Sequence, residues 1–169
     1  MSLKYHGLAK LIEECGELSE AAARSLLPPD GQDSILQALS DEIADVFAAI
    51  SIVIEQQSLD KAFILAHTVK LSGTEGVPAQ LIRACGGLIQ IAAKKITFWH
   101  TDEHPDGQGS MKERLSLAIA KMLPVLALAM EYFDLNSDDI AARNDLKQKL
   151  FREWLTEQDF CGQPISDTI

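Results

Sequence analysis

The sequence predicts an all-α protein, a helical bundle that forms a single domain over residues 1–169. Strand signals are nearly absent, because no stretch alternates apolar and polar residues persistently. Ala, Leu, Glu, Gln and Lys dominate the chain, and all are strong helix formers. Apolar residues recur at every third or fourth position, which is the spacing of a helix with one buried face. With 47% hydrophobic residues in 169, the chain can build a packed core.

The first two helices follow from this spacing and from breakers and caps. The first is predicted over about 5–24, before the breaker that starts at Pro28. The second begins where either Ser34 or Ser40 caps it. Its apolar residues run from Leu39 to Ile54.

The remaining helix and linker boundaries are predicted mainly from glycine and proline residues. A third helix is predicted over about 59–71, ending at Ser72. The stretch 73–78 is interpreted as a linker, after which a similar pattern begins again. Pro124 is expected to kink a helix of this second part. The tail after Asp159 is expected to be irregular.

The second part of the chain repeats the first. Residues 11–23 match residues 81–93 at 7 of 13 positions, at an offset of 70. Residues 29–34 match residues 105–110 at 5 of 6 positions, at an offset of 76. Two offsets that differ by one six-residue insertion indicate an internal duplication.

The first repeat is predicted over residues 1–72 and the second over residues 77–160. A unit of about 70 residues is too long for a solenoid repeat. We therefore expect two three-helix halves related by a pseudo-two-fold axis, as in a homodimer whose subunits are joined in one chain.

Composition excludes several classes of function. The net charge of −10, without a basic stripe, argues against nucleic-acid binding. No apolar run of about 18–20 residues and no secretory signal are visible, so we expect a soluble, cytoplasmic protein without a membrane partner. Three cysteines without a Cys-x-x-Cys motif favour neither a disulfide framework nor a zinc knuckle.

Five acidic residues are spaced to share helix faces. Glu13, Glu14 and Glu17 lie on the first predicted helix, and Glu42 and Asp45 lie on the second. If the two helices pack antiparallel, their carboxylates converge, and a bound divalent cation would relieve their repulsion. Oxygen ligands alone suit Mg²⁺ or Mn²⁺ better than zinc. The alternative is a pair of solvated acidic surfaces, since Glu-rich helices are common.

The duplication favours the metal site over that alternative. All five acids are replaced in the second repeat, while the surrounding packing residues are kept. Their counterparts are Arg83, Ala84, Gly87, Ala118 and Lys121. Loss of all five together is expected if they act as one site that only the first repeat retains.

The two acidic segments, Glu-Glu-Cys-Gly-Glu-Leu at 13–18 and Asp-Glu-Ile-Ala-Asp-Val at 41–46, resemble the signature of the MazG-like, all-α nucleoside-triphosphate pyrophosphatases. The resemblance covers residues 5–72 well and residues 80–155 as a degenerate copy. It implies cleavage of a nucleoside triphosphate between the α and β phosphates, giving a monophosphate and pyrophosphate, with Mg²⁺ as cofactor. It also implies a monomer similar to a family dimer, or a dimer of such units.

The resemblance also implies roles for the acids of the first repeat. Glu14, Glu17, Glu42 and Asp45 would be the metal ligands. Glu13 would be a further ligand or the catalytic base that orients the attacking water.

Several basic residues, one asparagine and one tryptophan are candidate substrate contacts. The resemblance implies four of them, namely Lys70, Asn144, Lys147 and Arg152. Each has an alternative as an ordinary surface residue or, for Trp99, as a residue that closes the end of the bundle. The candidates are Lys70, Lys94, Lys95, Trp99, Asn144, Lys147 and Arg152.

Two other functions stay open at this stage. One is a non-catalytic helical binding or regulatory module in which the acids are structural. The other is a metal-dependent phosphohydrolase that acts on a non-nucleotide pyrophosphate. The preferred base and sugar do not follow from the sequence.

Overall fold

The computed structural model describes residues 5–27, 32–71, 76–98, 101–103, 106–107 and 109–160. Over these residues the chain forms α-helices and no β-strand, which confirms the predicted all-α class. The helices are α1 (His6–Arg24), α2 (Gln32–Gln56), α3 (Lys61–Ala66), α4 (Val77–Thr97), α5 (Met111–Tyr132) and α6 (Ser137–Phe160).

The first half of the bundle differs from the prediction at the starts of two helices. α1 has the predicted bounds, but α2 begins at Gln32, so the prediction that Ser40 caps it is wrong. Ser34 also lies inside α2. α3 begins only at Lys61, because the Asp60 carboxylate accepts hydrogen bonds from the backbone N–H groups of Ala62 and Phe63, at 2.8 and 3.2 Å. It ends at Ala66, five residues before the predicted end at 71.

The first helix of the second half, α4, begins inside the predicted linker. Val77 and Pro78 were predicted to belong to the linker, but they form the first turn of α4. Proline is well tolerated there because the first backbone N–H groups of a helix have no intrahelical acceptor. Pro124 lies inside α5, which is continuous from Met111 to Tyr132. α6 continues to Phe160, and the rest of the predicted irregular tail lies outside the described residues.

The core is organised around the contact between α1 and α4. α1 packs against both α4 and α2, α4 packs against α5, and α2 packs against α6. Leu11 and Leu18 of α1 and Leu81 and Leu88 of α4 are fully buried. Burial of each such side chain contributes about 1.5–3 kcal/mol to folding. The apolar stripes of the two helices therefore face each other.

Two cysteines meet in this contact. Cys15 of α1 and Cys85 of α4 are fully buried, free thiols. The Cys15 thiol is hydrogen-bonded to the Cys85 sulfur, which together with burial raises the pKa of Cys15 above its usual value. Both behave as small core residues.

α5 is a long, apolar helix of 22 residues. It passes a length and hydropathy test for a membrane span, although more than half of its apolar window is buried against other helices. A core helix of a bundle passes the same test.

Two glycines of α1 give a test of this packing. A Cβ at Gly7 would lie 2.3 Å from Gln56 Oε1, whereas a Cβ at Gly16 meets nothing within 4 Å. Gly7→Ala should lower the free energy of unfolding, because Gln56 must move and its 3.0 Å hydrogen bond with the Gly7 N–H is lost. Gly16→Ala should raise it by up to about 1 kcal/mol through helix propensity. Urea denaturation of both variants checks this, and equal effects of the two would contradict the packing described.

Candidate metal centre and adjacent pocket

Three acidic side chains converge between α1 and α2. Glu14, Glu42 and Asp45 each place one carboxylate oxygen within 4.8 Å of the others. Glu14 is 1% exposed and Asp45 is 2% exposed, while Glu42 is half-buried. The convergence follows from helix geometry, because these acids border the apolar stripes through which α1 and α2 pack. We call these three residues the acidic triad.

The triad carries an electrostatic cost when its members are charged. Burial raises the pKa of Glu14, and the negative charge of Asp45 adds to the effect, although Lys10 opposes it. Burial, Glu17, Asp45 and Glu14 together raise the pKa of Glu42 to about 7. Burial and like charge both disfavour the ionised form. At neutral pH a cation would therefore stabilise the triad.

Part of the triad has oxygens without hydrogen bonds. Lys10 Nζ forms an ion pair with Glu14 Oε1, at 2.8 Å. Glu14 Oε2 and Glu42 Oε2 are buried and accept no hydrogen bond from any described residue. Unpaired buried carboxylate oxygens are rare and costly in folded proteins. An all-oxygen donor set of this kind fits Mg²⁺ or Mn²⁺.

Asp45 is held differently from its two neighbours. Arg143 of α6 donates two hydrogen bonds to it, Nε to Oδ1 and Nη2 to Oδ2, both at 2.9 Å. Lys147 Nζ lies 2.6 Å from Asp45 Oδ2. Arg143 Nη1 also lies 3.4 Å from Asp41. The cations of α6 therefore neutralise one side of the triad.

The other two predicted acids lie at the edge of the triad. Glu17 is exposed, but its charge is close enough to raise the pKa of Glu42. The Glu13 side chain is 55% exposed and lies 3.0 Å from Lys10 Nζ. Neither residue belongs to the set within 4.8 Å.

A pocket with aromatic walls adjoins the triad. It is a cavity of about 290 Å³ between the start of α1, α2 and the end of α6. Phe151 and Trp154 form one wall, with ring centroids 5.8 Å apart. Lys10 Nζ lies 5.4 Å from the Phe151 centroid and 5.8 Å from that of Trp154, in cation–π range. Because Lys10 also contacts Glu14, it links this aromatic pocket to the triad.

The three predicted substrate contacts on α6 have different partners, and one of them contacts the triad. Lys147 reaches the triad, as described above. Arg152 Nη2 instead lies 2.7 Å from Glu55 Oε1 of α2. Asn144 Oδ1 accepts a hydrogen bond from Gln148 at 3.1 Å.

Three other predicted contacts lie among the described residues and outside the triad. Lys95 is buried, and its Nζ lies 2.6 Å from Asp102 Oδ1. Lys94 lies in the last turn of α4. Lys70 is exposed and borders a separate cavity of about 440 Å³ beside α5. Trp99 lies outside the described residues.

The sequence analysis did not identify four residues of this region, namely Lys10, Arg143, Phe151 and Trp154. Lys10 precedes Glu14 by four residues, a spacing that puts both on one face of α1. Arg143, Lys147 and Phe151 form a stripe at four-residue spacing on α6, with Trp154 three residues further. This spacing indicates that the four residues share one face of α6. It does not indicate which other helix that face packs against.

Searches of protein-family models, of curated proteins and of solved structures found no match to this chain. The similarity to the MazG-like enzymes therefore stays an expectation from the two acidic segments.

The raised pKa of Glu42 predicts how stability depends on pH without metal. Its pKa is about 7 in the folded protein against 4.5 for a free glutamate, so the folded state binds more protons between these values. The free energy of unfolding should therefore fall as pH rises from 4.5 to 7. Glu42→Gln should reduce this fall and make the protein more stable than wild type at pH 8 in EDTA.

The matched control is Glu20→Gln, at an exposed α1 residue paired with Arg24. Urea denaturation at several pH values compares the two variants. An unchanged pH slope in Glu42→Gln would contradict the assigned electrostatics.

Proposed function

We propose that the protein is a metal-dependent nucleoside triphosphate pyrophosphohydrolase, which converts a triphosphate to a monophosphate and pyrophosphate. The observation that carries this proposal is the buried acidic triad with unpaired carboxylate oxygens, next to a pocket with an aromatic wall. A bound Mg²⁺ or Mn²⁺ neutralises phosphate charge and activates water for attack.

The triad supplies the ligands in this proposal. Glu14 and Glu42 offer their free oxygens, and Asp45 offers oxygens that now contact Arg143 and Lys147. Glu17, exposed beside Glu42, is a fourth candidate ligand. The resemblance to the MazG-like enzymes supports the same four residues.

Arg143 and Lys147 contribute the positive charge that a polyanion needs. Arginine binds phosphate oxygens through two parallel hydrogen bonds, and lysine binds them as a point charge. Both side chains are partly exposed while their partner Asp45 is buried. We propose that they transfer contacts from Asp45 to the phosphates when the metal is bound.

The aromatic pocket is the proposed site of the nucleobase. A base can stack on Trp154 or Phe151, since aromatic faces bind other aromatic rings and cations. Lys10 lies between this wall and Glu14, at the place where a phosphate chain would leave the base. Glu13 borders the same pocket, and we propose that it accepts a proton from the attacking water.

The proposed duplication is supported by which helices pack together. Exchange of α1 with α4, α2 with α5 and α3 with α6 maps the main helix contacts onto one another. The α1–α2 contact becomes the α4–α5 contact, the α2–α6 contact becomes the α3–α5 contact, and the α1–α4 and α2–α5 contacts map onto themselves. Cys15 and Cys85, equivalent in the two repeats, meet between α1 and α4. We propose a pseudo-two-fold bundle with one hydrolytic site in its first half, in a cytoplasmic monomer or a dimer of such units.

One observation favours the rival function, a non-catalytic module. Both oxygens of Asp45 are already paired, so the contacts of Arg143 and Lys147 could serve only to fasten α6 to α2. A module of this kind has the same fold and no hydrolytic activity.

Activity of triad variants separates the two functions. With Mg²⁺, pyrophosphate release from a panel of ribo- and deoxyribonucleoside triphosphates should be measurable for wild type. It should fall at least about 100-fold in Glu42→Gln and Asp45→Asn, because loss of a preorganised charge contact costs several kcal/mol of barrier.

Glu20→Gln, which removes an acid from the exposed face of α1, should retain full activity. The enzyme proposal is overturned if no nucleotide is hydrolysed or if the triad variants stay active.

Base binding in the aromatic pocket can be tested without catalysis. Trp154 is the sole tryptophan of the Trp99→Phe variant, so its fluorescence reports on the pocket. At least one nucleoside monophosphate should quench it in EDTA through stacking. Ala9→Leu, which adds bulk at the pocket wall, should abolish the quenching.

The control is Ala79→Leu, at the equivalent exposed position of α4. Absence of quenching by every nucleotide, or equal loss in both leucine variants, would argue against this role of the pocket.

A further inference from the structure

A second, larger cavity lies in the other half of the bundle. It has a volume of about 740 Å³ and lies between α4 and α5. Pockets of 300–1,000 Å³ are typical of sites for small ligands. Its lining residues come from the second repeat, and none belongs to the acidic triad or to the aromatic pocket.

This cavity lies where the second repeat has replaced the acids of the first. The counterparts of all five acids line it, and they are Arg83, Ala84, Gly87, Ala118 and Lys121. Three of the replacements remove a carboxylate and leave a small residue, which opens space. The other two, Arg83 and Lys121, reverse the charge.

The charged lining of the cavity is predominantly positive. Arg83, Arg114 and Lys121 are opposed by one carboxylate, that of Glu113. In a chain of net charge −10 this is a local reversal of sign. A concave surface lined by one sign of charge concentrates ions of the opposite sign.

Two of these cations are available for a ligand. Arg83 and Lys121 are exposed and have no ion-pair or hydrogen-bond partner for their side chains among the described residues. Arg114 differs, since its Nη2 lies 3.1 Å from Asp106 Oδ2, and this pair fixes its position beside the cavity. The cavity therefore presents positive charge that contacts within the described chain do not neutralise.

We infer that this second cavity binds a polyphosphate anion directly, without a metal ion. The ligand class ranges from pyrophosphate to a nucleotide, which the volume admits. Arg83 supplies a planar pair of donors suited to a phosphate, and Lys121 supplies a point charge. The site is distinct from the hydrolytic site, since it needs no metal and shares no residue with it.

Calorimetry with inorganic pyrophosphate in EDTA tests the inference on the intact protein. Metal-free conditions disfavour pyrophosphate at the acidic triad, whose charge repels it. Wild type should bind at one site, and binding should weaken as salt rises. Arg83→Ala and Lys121→Ala should each weaken binding at least tenfold, because each removes a charged contact to phosphate.

Two controls identify the cavity as the site. Lys112→Ala removes the same charge from an exposed residue of α5 that does not line the cavity, and should retain binding. Glu42→Gln should also retain it. Circular dichroism confirms that the variants fold.

No binding by wild type, or binding that Arg83→Ala and Lys121→Ala leave intact, overturns the inference. Equal weakening by Lys112→Ala also overturns it, since that indicates attraction by overall charge alone. Because hydrolysis is measured with Mg²⁺ and this binding without it, failure of one proposal leaves the other standing.

Discussion

Burial of like charge between α1 and α2 is the constraint on which the rest of the candidate site depends. Glu14 and Asp45 are almost completely buried, and the desolvation of a carboxylate is among the costliest events in folding. The bundle offsets this cost most completely at Asp45, to which α6 brings Arg143 and Lys147. Lys10 contacts Glu14 through one oxygen, while Glu14 Oε2 and Glu42 Oε2 accept no hydrogen bond from the described residues. A partially compensated acidic cluster of this kind is poorly explained by stability alone, and that is why we attribute a ligand to it.

The all-α class and the positions of the acids on shared helix faces could be predicted from the sequence, because both depend on local spacing. Residues three or four apart share a helix face whatever the tertiary structure, so the nearness of Glu42 and Asp45 on α2 could be foreseen. The residues that face the acids from a helix distant in sequence depend on helix packing angles. These angles cannot be derived from the spacing of residues along the chain. Lys147 was therefore named among several candidates, while Arg143, one turn earlier on the same face, was not. Likewise Lys95 resembles a phosphate ligand in sequence, but folding buries it against Asp102. The ends of helices were least predictable, as α3 illustrates.

Under the proposed duplication, the two halves of the chain use similar helix pairs to present opposite charges. Between α1 and α2 the stripe borders carry carboxylates, and between α4 and α5 the counterpart positions carry small or basic residues around a cavity. The change is possible because these positions lie at the edge of the apolar contact. The fully buried leucines of α1 and α4 fix the helices irrespective of the charge beside them. Packing and chemistry are thus carried by different faces of the same helices.

The contact between Asp45 and Arg143 also has a consequence for synthesis of the chain. The two residues are 98 positions apart, so the carboxylate emerges from the ribosome long before its cation does. A nascent chain that has completed only α1 and α2 would have to bury Asp45 without Arg143 or Lys147, and an uncompensated buried charge costs several kcal/mol. The first half therefore closes tightly around its acids only after α6 has been made. Premature termination before α6 would yield a fragment with an open, solvated acidic face that proteases can cleave.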